Sequence, residues 1–198
     1  SKKCNEVIFA GNIIKPKISK LKLDLRGLFY IPRIVKASKK GDAAILKVLI
    51  KILSENKIKV IKLNTFNPEL TLKKGVYTKI KPTLFEKEDI NKGIRTLGKI
   101  SSHNHTQAVI IRDNKVISRE TRKGTKEMIK SVAKSKIKKG ILIKLPKASQ
   151  DLRVDLPTIG IDTFKDCNKV GIKGIVVKSN QNIILNKKAS IEYANQNK

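Results

Sequence analysis

Three charged side chains alternate within the stretch 150–160 of the sequence. Asp151, Arg153 and Asp155 take every second position, and Pro157 follows them. If the stretch is extended, all three side chains point to one side, because successive strand residues face opposite ways. Two carboxylates beside a guanidinium could then hold a hard divalent cation such as Mg²⁺ together with water and phosphate oxygens. The same spacing suits a structural Asp–Arg ion pair that braces a turn, and the sequence leaves both interpretations open.

A longer block around this stretch resembles the signature of a known enzyme family. The block reads G-I-L-I-K-L-P-K over residues 140–147 and Q-D-L-R-V-D-L-P-T-I-G over residues 150–160. It closely resembles the signature of the LpxI family, the UDP-2,3-diacylglucosamine pyrophosphatases of lipid A biosynthesis. Other blocks fit the family in the same order along nearly the whole chain: 10–13, 15–16, 41–44, 107–109, 124–125 and Met128.

The resemblance implies hydrolysis of the diphosphate of UDP-2,3-diacylglucosamine to UMP and 2,3-diacylglucosamine 1-phosphate, also called lipid X. It implies Mg²⁺ or another divalent cation as the cofactor, which would neutralise developing charge and help to position the attacking water. Because the substrate is an acylated UDP-sugar lipid, we expect a cytoplasmic enzyme in peripheral contact with the inner face of the inner membrane. We expect no specific nucleic-acid partner, and the sequence leaves open whether the protein forms a homodimer.

The resemblance and the local chemistry together indicate which side chains are candidates for catalysis, metal binding and substrate binding. Asp155 is the first choice for a catalytic carboxylate, followed by Asp151, with Arg153 beside them. We expect Asp155, Asp151 and Glu120 to supply the metal ligands. Lysines among the substrate-binding candidates could offset the charge of the diphosphate, although ordinary surface lysines are the alternative interpretation. The expected substrate-binding residues are Lys144, Lys147, Gln150, Gly11, Asn12 and Thr125.

Some positions depart from the family pattern. Lys123 and Lys126 stand where the family usually carries acids, and Asn104 stands where it often has Asp. One alternative interpretation is therefore that the protein is an inactive relative of the family. His103 and His105 would face one way on a strand and could hold Zn²⁺, but no third ligand is close in sequence, so a solvated loop is favoured.

The composition adds a second alternative function. The 198 residues carry a formal net charge of +29, which would also suit a protein that binds nucleic acid or an anionic surface. The excess is mostly lysine spread through every segment, as coding bias would produce, and aromatic residues make up only 4%. Stacking platforms for single strands are therefore few. No apolar run is long enough to span a membrane, and Cys4 and Cys167 make no disulfide framework.

The resemblance and the order of the elements predict an α/β fold with two small mixed α/β domains, the first an incomplete Rossmann-like unit. We place the boundary near Lys81-Pro82, where turn residues cluster, between an N-terminal domain over 1–82 and a C-terminal catalytic domain over 83–198. A strand over 7–10 lies very close to the first residue. We therefore expect a missing segment before it and exposed apolar surface along that strand, and the resemblance implies a slight truncation at the other end.

Hydrophobic periodicity and turn residues predict the individual elements. Asp42 is expected to cap one helix, Asp162 to cap another, and Asp113-Asn114 to form the turn of a hairpin. Because ligands in open α/β sheets gather at the carboxyl ends of strands, the residues after the strand 140–145 are well placed for a site. The predicted strands are 58–63, 107–112, 115–119, 140–145, 174–177 and 182–185, and the predicted helices are 42–53, 86–99, 125–136, 162–171 and one from Ala189.

Overall fold

The computed structural model describes residues 4–11, 22–100, 106–148 and 150–197. The chain divides into two compact units, the first comprising Ser1–Asn67 with Gln150–Asp155 and the second comprising Pro68–Ser149 with Leu156–Lys198. Both units combine helices and strands, so the mixed α/β fold in two parts is confirmed. Residues 68–82 go with the second unit in this division, whereas the boundary near Lys81-Pro82 stays a prediction. No helix in the described ranges is long and apolar enough to cross a bilayer.

The first unit contains a short parallel strand pair and two longer helices. Its elements in chain order are β1 (Glu6–Val7), α1 (Leu25–Ser38), α2 (Asp42–Glu55), β2 (Lys59–Val60) and α3 (Leu63–Phe66). Strands β1 and β2 pair in parallel, with Val7 opposite Val60. Both strands are shorter than predicted, because β1 does not continue over 8–10 and Leu63 already begins a helix.

Helices α1 and α2 are linked by a two-point ion pair. Arg33 donates from its two Nη atoms to the carboxylate oxygens of Glu55, at 2.7 and 2.8 Å. The sequence pattern did not predict α1, which begins after Asp24. The prediction that Asp42 caps α2 is wrong, because Gly41 with φ +103° is the cap and Asp42 is the first helical residue. There its carboxylate still suits the positive end of the helix dipole.

The second unit is built around a four-stranded sheet. Its order is β4-β3-β5-β7, with β3 antiparallel to both neighbours and β5 parallel to β7, while β6 and β8 form a separate parallel pair. The elements are α4 (Leu84–Gly98), β3 (Ala108–Arg112), β4 (Lys115–Arg119), α5 (Gly124–Lys130), β5 (Ile141–Lys144), β6 (Thr158–Ile159), α6 (Ile161–Lys169), β7 (Gly174–Val177), β8 (Ile183–Ile184) and α7 (Lys187–Gln196).

Most elements of this unit lie where the sequence predicts them, with their ends shifted by a few residues. Helix α5 is the exception in length, since it ends at Lys130 and not near 136. The prediction that Asp162 caps α6 is also wrong: Gly160 is the cap residue, and Asp162 lies in the first turn. The pair of residues 158–159 forms β6, which the sequence pattern did not predict.

Helices cover both faces of the four-stranded sheet. Ala108 and Ile110 of β3 pack with side chains of α5 and α6, whereas Val109 and Ile111 pack on the other face with side chains of α4. All four are fully buried, because alternate residues of a strand face opposite sides and both sides are covered here. The neighbouring strand β5 is buried along its length, so its last residue, Lys144, lies in the interior.

The hairpin between β3 and β4 turns at Asp113 and Asn114. Their φ angles are +48° and +57°, which confirms the predicted left-handed turn. The backbone N–H of Asn114 donates to the carboxylate of the buried Asp89 on α4 at 2.6 Å. This bond holds the hairpin turn against α4.

Candidate active site

The stretch 150–155 forms a turn in the structure. The backbone N–H groups of Val154 and Asp155 both donate to the carbonyl oxygen of Asp151, at 3.1 and 2.9 Å. The extended arrangement, in which the three side chains would share one side, is therefore not the one that forms. In a turn closed by these bonds the chain reverses, and the alternation that a strand imposes is lost.

Asp151 and Arg153 form the structural ion pair that the sequence left as one of two interpretations. Arg153 donates from Nε to Oδ1 of Asp151 at 3.0 Å and from Nη2 to Oδ2 at 2.7 Å, and its backbone N–H also donates to Oδ1 at 3.0 Å. The hydrogen bonds from the guanidinium lower the pKa of the Asp151 carboxyl, and the carboxylate raises the pKa of Arg153. Both oxygens of Asp151 are thus occupied in bracing the turn.

Asp155 lies at the end of this turn and lines a cavity of the first unit. The cavity has a volume of about 430 Å³. Asp155 is half-buried, and its carboxylate has no hydrogen-bond or ion-pair partner among the described residues. Gly11, another predicted site residue, lines the same cavity with φ +94°. The complete lining is Ile8, Phe9, Ala10, Gly11, Leu46, Val154 and Asp155.

Arg153 lines a second cavity of the first unit, with a volume of about 290 Å³. Lys57 and Lys59 line it as well, so three cationic side chains border one small space. Sequence reasoning did not single out these two lysines, which follow α2 and precede or begin β2. Ile50, Ile58 and Val60 also line this cavity, and the three cations at its border suit an anionic group such as a phosphate.

Lys144 is buried in the second unit at the carboxyl end of β5. Its ammonium donates to the hydroxyl of Thr125 at 2.9 Å and to the carbonyl oxygen of Thr158 at 3.1 Å. Burial lowers the pKa of Lys144, the charge of Lys147 lowers it further, and the attraction of Glu120 opposes both effects. Lys144 is therefore an interior cation and not an ordinary surface lysine.

Glu120 and Thr125 continue this polar network away from Lys144. The hydroxyl of Thr125 donates to Oε1 of the buried Glu120 at 2.6 Å, and the backbone N–H of Gln107 donates to Oε2 at 2.9 Å. Both carboxylate oxygens of Glu120 are therefore satisfied inside the protein. The network joins the ends of β4 and β5, the start of α5, and β6.

Sequence reasoning missed two residues that complete this network. The amide of the buried Asn182 donates to the carbonyl oxygen of Lys144 at 3.2 Å and accepts from the backbone N–H of Lys178 at 3.0 Å. Thr158 contributes only a backbone carbonyl. No sequence signal marks a lone Asn or a carbonyl group as partners of a distant lysine, because only the packing of β5 beside β7 and β6 brings them together.

The predicted metal ligands can be tested against their surroundings. No group of three or more His, Cys, Asp or Glu residues suited to a metal ion occurs in the described part of the chain. Asp151 is held by Arg153 and Glu120 by Gln107 and Thr125, so the set of three carboxylates does not fit a metal site. Asp155 alone fits Mg²⁺, which often takes one or two carboxylates and completes its shell with water and substrate phosphates.

The remaining residues singled out from the sequence differ in their exposure to solvent. Lys147 and Gln150 are half-buried. Lys123 and Lys126, which replace acids of the family pattern, are exposed around the start of α5. Several residues lie outside the described part of the chain: Asn12, Lys15, Pro16, His103, Asn104 and His105.

Comparison with known proteins gives matches along the whole chain. The family model described as LpxI N-terminal domain matches residues 1–70, and the one described as LpxI C-terminal domain matches residues 73–198. A protein of Caulobacter vibrioides named UDP-2,3-diacylglucosamine pyrophosphatase LpxI is 30% identical over 199 residues. This similarity covers 96% of the chain and 71% of that relative.

Proposed function

Since the chain belongs to the LpxI family, we propose that it hydrolyses the diphosphate of UDP-2,3-diacylglucosamine, releasing UMP and 2,3-diacylglucosamine 1-phosphate. The substrate is the one printed in the name of the Caulobacter relative. The observation that carries the proposal is the carboxylate of Asp155, which has no partner among the described residues and lines a cavity of about 430 Å³ together with Gly11. The nearest other acid in sequence, Asp151, has both oxygens bonded to Arg153.

Asp155 is suited to act on the attacking water. Hydrolysis of a phosphoanhydride requires a water molecule in line with the bond that breaks, and a carboxylate at hydrogen-bond distance can orient that water and take up its proton. Asp151 supports this role indirectly, because its bonds to Arg153 fix the turn that ends at Asp155. We therefore assign Asp155 to the chemistry and Asp151 with Arg153 to positioning.

The cationic residues are suited to the negative charge of the substrate. Arg153, Lys57 and Lys59 border one cavity of the first unit, and fixed positive charge stabilises the charge that develops on phosphate oxygens. Lys144 in the second unit donates hydrogen bonds to two acceptors among the described residues, and its third N–H is proposed to donate to a phosphate oxygen. Gly11, Thr125, Lys147 and Gln150 remain proposed substrate contacts.

A divalent cation such as Mg²⁺ would supply charge neutralisation at the diphosphate, with Asp155 as its protein ligand. We also place the enzyme in the cytoplasm, in peripheral contact with the inner membrane, because its proposed substrate carries two acyl chains. A lipid with long acyl chains remains in a bilayer, so the enzyme would meet it at the membrane surface.

The proposal predicts that Asp155→Ala abolishes turnover while the fold remains intact. Loss of a group that orients the attacking water or holds the cation should lower the rate by about a hundredfold or more. The measurement is UMP release from UDP-2,3-diacylglucosamine in detergent with and without Mg²⁺, with circular dichroism to follow folding. Near-normal release by folded Asp155→Ala would contradict the assignment.

Two control variants separate chemistry from structure. Asp162→Ala removes an exposed acid from the first turn of α6 and should retain near-normal turnover. Asp151→Ala should lower stability by about 0–1 kcal/mol, as expected for a partly exposed ion pair, and reduce turnover less than Asp155→Ala does. Absence of UMP release by the wild-type chain under every cation tested would favour the inactive relative.

A further inference from the structure

Large apolar side chains of the second unit are exposed along residues 73–87, a stretch that we call the basic–apolar segment. Leu84 and Phe85, in the first turn of α4, are 76% and 81% exposed. Val76, Tyr77 and Ile80 precede them and are exposed as well. Exposed apolar residues that occur singly need no explanation, but a concentration of them within ten residues indicates a surface that binds something.

Lysines accompany these apolar side chains throughout the segment. Lys73, Lys74, Lys79, Lys81 and Lys87 are exposed. None of the five has an ion-pair partner among the residues that the structure describes. Glu86, the one acid within residues 73–87, is paired with Lys173 at 2.6 Å, so its charge is neutralised locally. The segment therefore carries a marked local excess of positive charge.

The basic–apolar segment is held to the body of its unit at several points. The backbone N–H of Lys79 donates to the side chain of Asn195 in α7 at 2.8 Å. Thr83 caps α4 through a reciprocal pair of bonds with Glu86, which fixes the helix start where Leu84 and Phe85 project. These bonds mean that the fold itself presents the apolar side chains to solvent.

We propose that the basic–apolar segment docks the protein onto an anionic lipid bilayer. Apolar side chains such as Phe85 and Leu84 can enter the boundary between headgroups and acyl chains, while lysines bind the anionic headgroups. Lysine suits this position because its aliphatic stem can lie along apolar surface while the ammonium stays among the headgroups. This inference deepens the proposed function and rests on it, because the proposed activity requires the protein to reach a lipid substrate.

Charge complementarity favours lipid over a second copy of the chain as the occupant. In a symmetric dimer the same patch would face itself, so the five lysines of one copy would lie against those of the other. Like charges brought together in an interface are strongly unfavourable. An anionic bilayer offers the opposite charge and an apolar layer at the depth that the projecting side chains can reach.

Vesicle co-sedimentation of the whole chain tests this surface without any turnover. The probes are vesicles of about 70% phosphatidylcholine and about 30% phosphatidylglycerol, with pure phosphatidylcholine vesicles for comparison, at physiological salt. The vesicles contain no UDP-sugar lipid, so binding is measured independently of hydrolysis. We expect binding to the anionic vesicles and little binding to the neutral ones.

Two pairs of matched variants assign the binding to the segment. Leu84→Ser with Phe85→Ser should weaken binding by about tenfold, whereas Leu28→Ser with Phe29→Ser, which alters two exposed apolar residues of α1, should leave it within about twofold. Lys79→Glu with Lys81→Glu should weaken binding by about tenfold or more. Lys39→Glu with Lys40→Glu makes the same change of net charge in the exposed loop after α1 and should have a smaller effect.

Several outcomes of these experiments would overturn the docking inference. Equal effects of the segment variants and their controls would overturn it, as would equal binding to neutral and anionic vesicles. Sedimentation of the wild type as a dimer that Leu84→Ser with Phe85→Ser converts to a monomer would overturn it in favour of a second copy. Hydrolysis of a short-chain, water-soluble UDP-diacylglucosamine should be unchanged in the segment variants, so failure of docking and failure of the proposed function are distinguishable.

Discussion

Single residues in this protein owe their chemistry to their partners more than to their type. Asp151 and Asp155 are both aspartates four residues apart, yet the first has both oxygens occupied by Arg153, whereas the second lines a cavity and is unpaired among the residues that the structure describes. Lys144 differs in the same way from most of the other lysines, because it is buried and bonded to Thr125 and Thr158. Pairing and burial thus give chemically identical side chains different environments, and a perturbed environment is what marks a candidate site residue.

Burial of Lys144 predicts a particular pH dependence of stability. The pKa of Lys144 is lowered from 10.5, chiefly by desolvation. Between the lowered pKa and 10.5 the unfolded chain binds this proton more than the folded chain does, so the contribution of Lys144 to the free energy of unfolding rises with pH. In Lys144→Met this rise should disappear.

Urea unfolding at a series of pH values from about 7 to about 10.5 measures this effect. The free energy of unfolding of the wild type relative to Lys144→Met should increase with pH across the alkaline part of that range. Lys139→Met, which removes an exposed lysine, should give a profile parallel to that of the wild type. A difference between wild type and Lys144→Met that stays flat or falls with pH would refute the prediction.

At the scale of elements, the close approach of α4 to the four-stranded sheet positions the hairpin and β5. Gly93 of α4 lies directly over the sheet, where a Cβ would come within 2.6 Å of Cδ1 and 2.7 Å of Cγ1 of Ile143. Ile143 is fully buried and cannot swing away freely. Glycine at this position lets the helix pack close enough for Asp89 to reach the turn at Asn114.

Gly93→Ala should therefore destabilise the protein even though alanine favours helix. Overpacking a core costs about 1–3 kcal/mol, whereas replacing a helical glycine gains about 1 kcal/mol, so we expect a net loss of up to about 2 kcal/mol. Chemical denaturation measures the loss. Gly98→Ala, where a Cβ meets nothing within 4 Å, should be neutral or slightly stabilising.

A second substitution tests the reason for that loss. Ile143→Val removes the Cδ1 atom that the new Cβ would contact. The double variant Gly93→Ala with Ile143→Val should lose less stability than the two single variants together, because the two sites are in contact. Simple additivity would mean that the close contact is not the cause.

At the scale of the whole molecule, the net charge of +29 is spread through every segment of the sequence. Duplex DNA should therefore bind weakly, without sequence preference, and with an affinity that falls steeply as salt rises, because binding releases counterions. Competition between one DNA or RNA sequence and a scrambled one at physiological salt measures this. A preference of about a thousandfold would overturn the enzyme proposal in favour of a specific nucleic-acid binding protein.

The sequence by itself determined the features that depend on local chemistry. The hairpin turn at Asp113-Asn114, helices α2 and α4, and strand β5 follow from turn residues and from hydrophobic periodicity over a few neighbours. The mixed α/β class follows from the order of these elements, and the family follows from the block 140–160. Each of these properties can be recognised in a short window of residues, which is why they could be predicted.

Only the tertiary structure decided what the charged residues do. Alternating charges fit a strand and a turn equally well, and the bonds from Val154 and Asp155 to Asp151 settled the choice. Gly11 and Asp155 are separated by most of the chain, yet they line one cavity. Lys144 is buried because Thr158 and Asn182 reach it from distant segments. Burial and pairing depend on long-range packing, which no local pattern of residue types encodes.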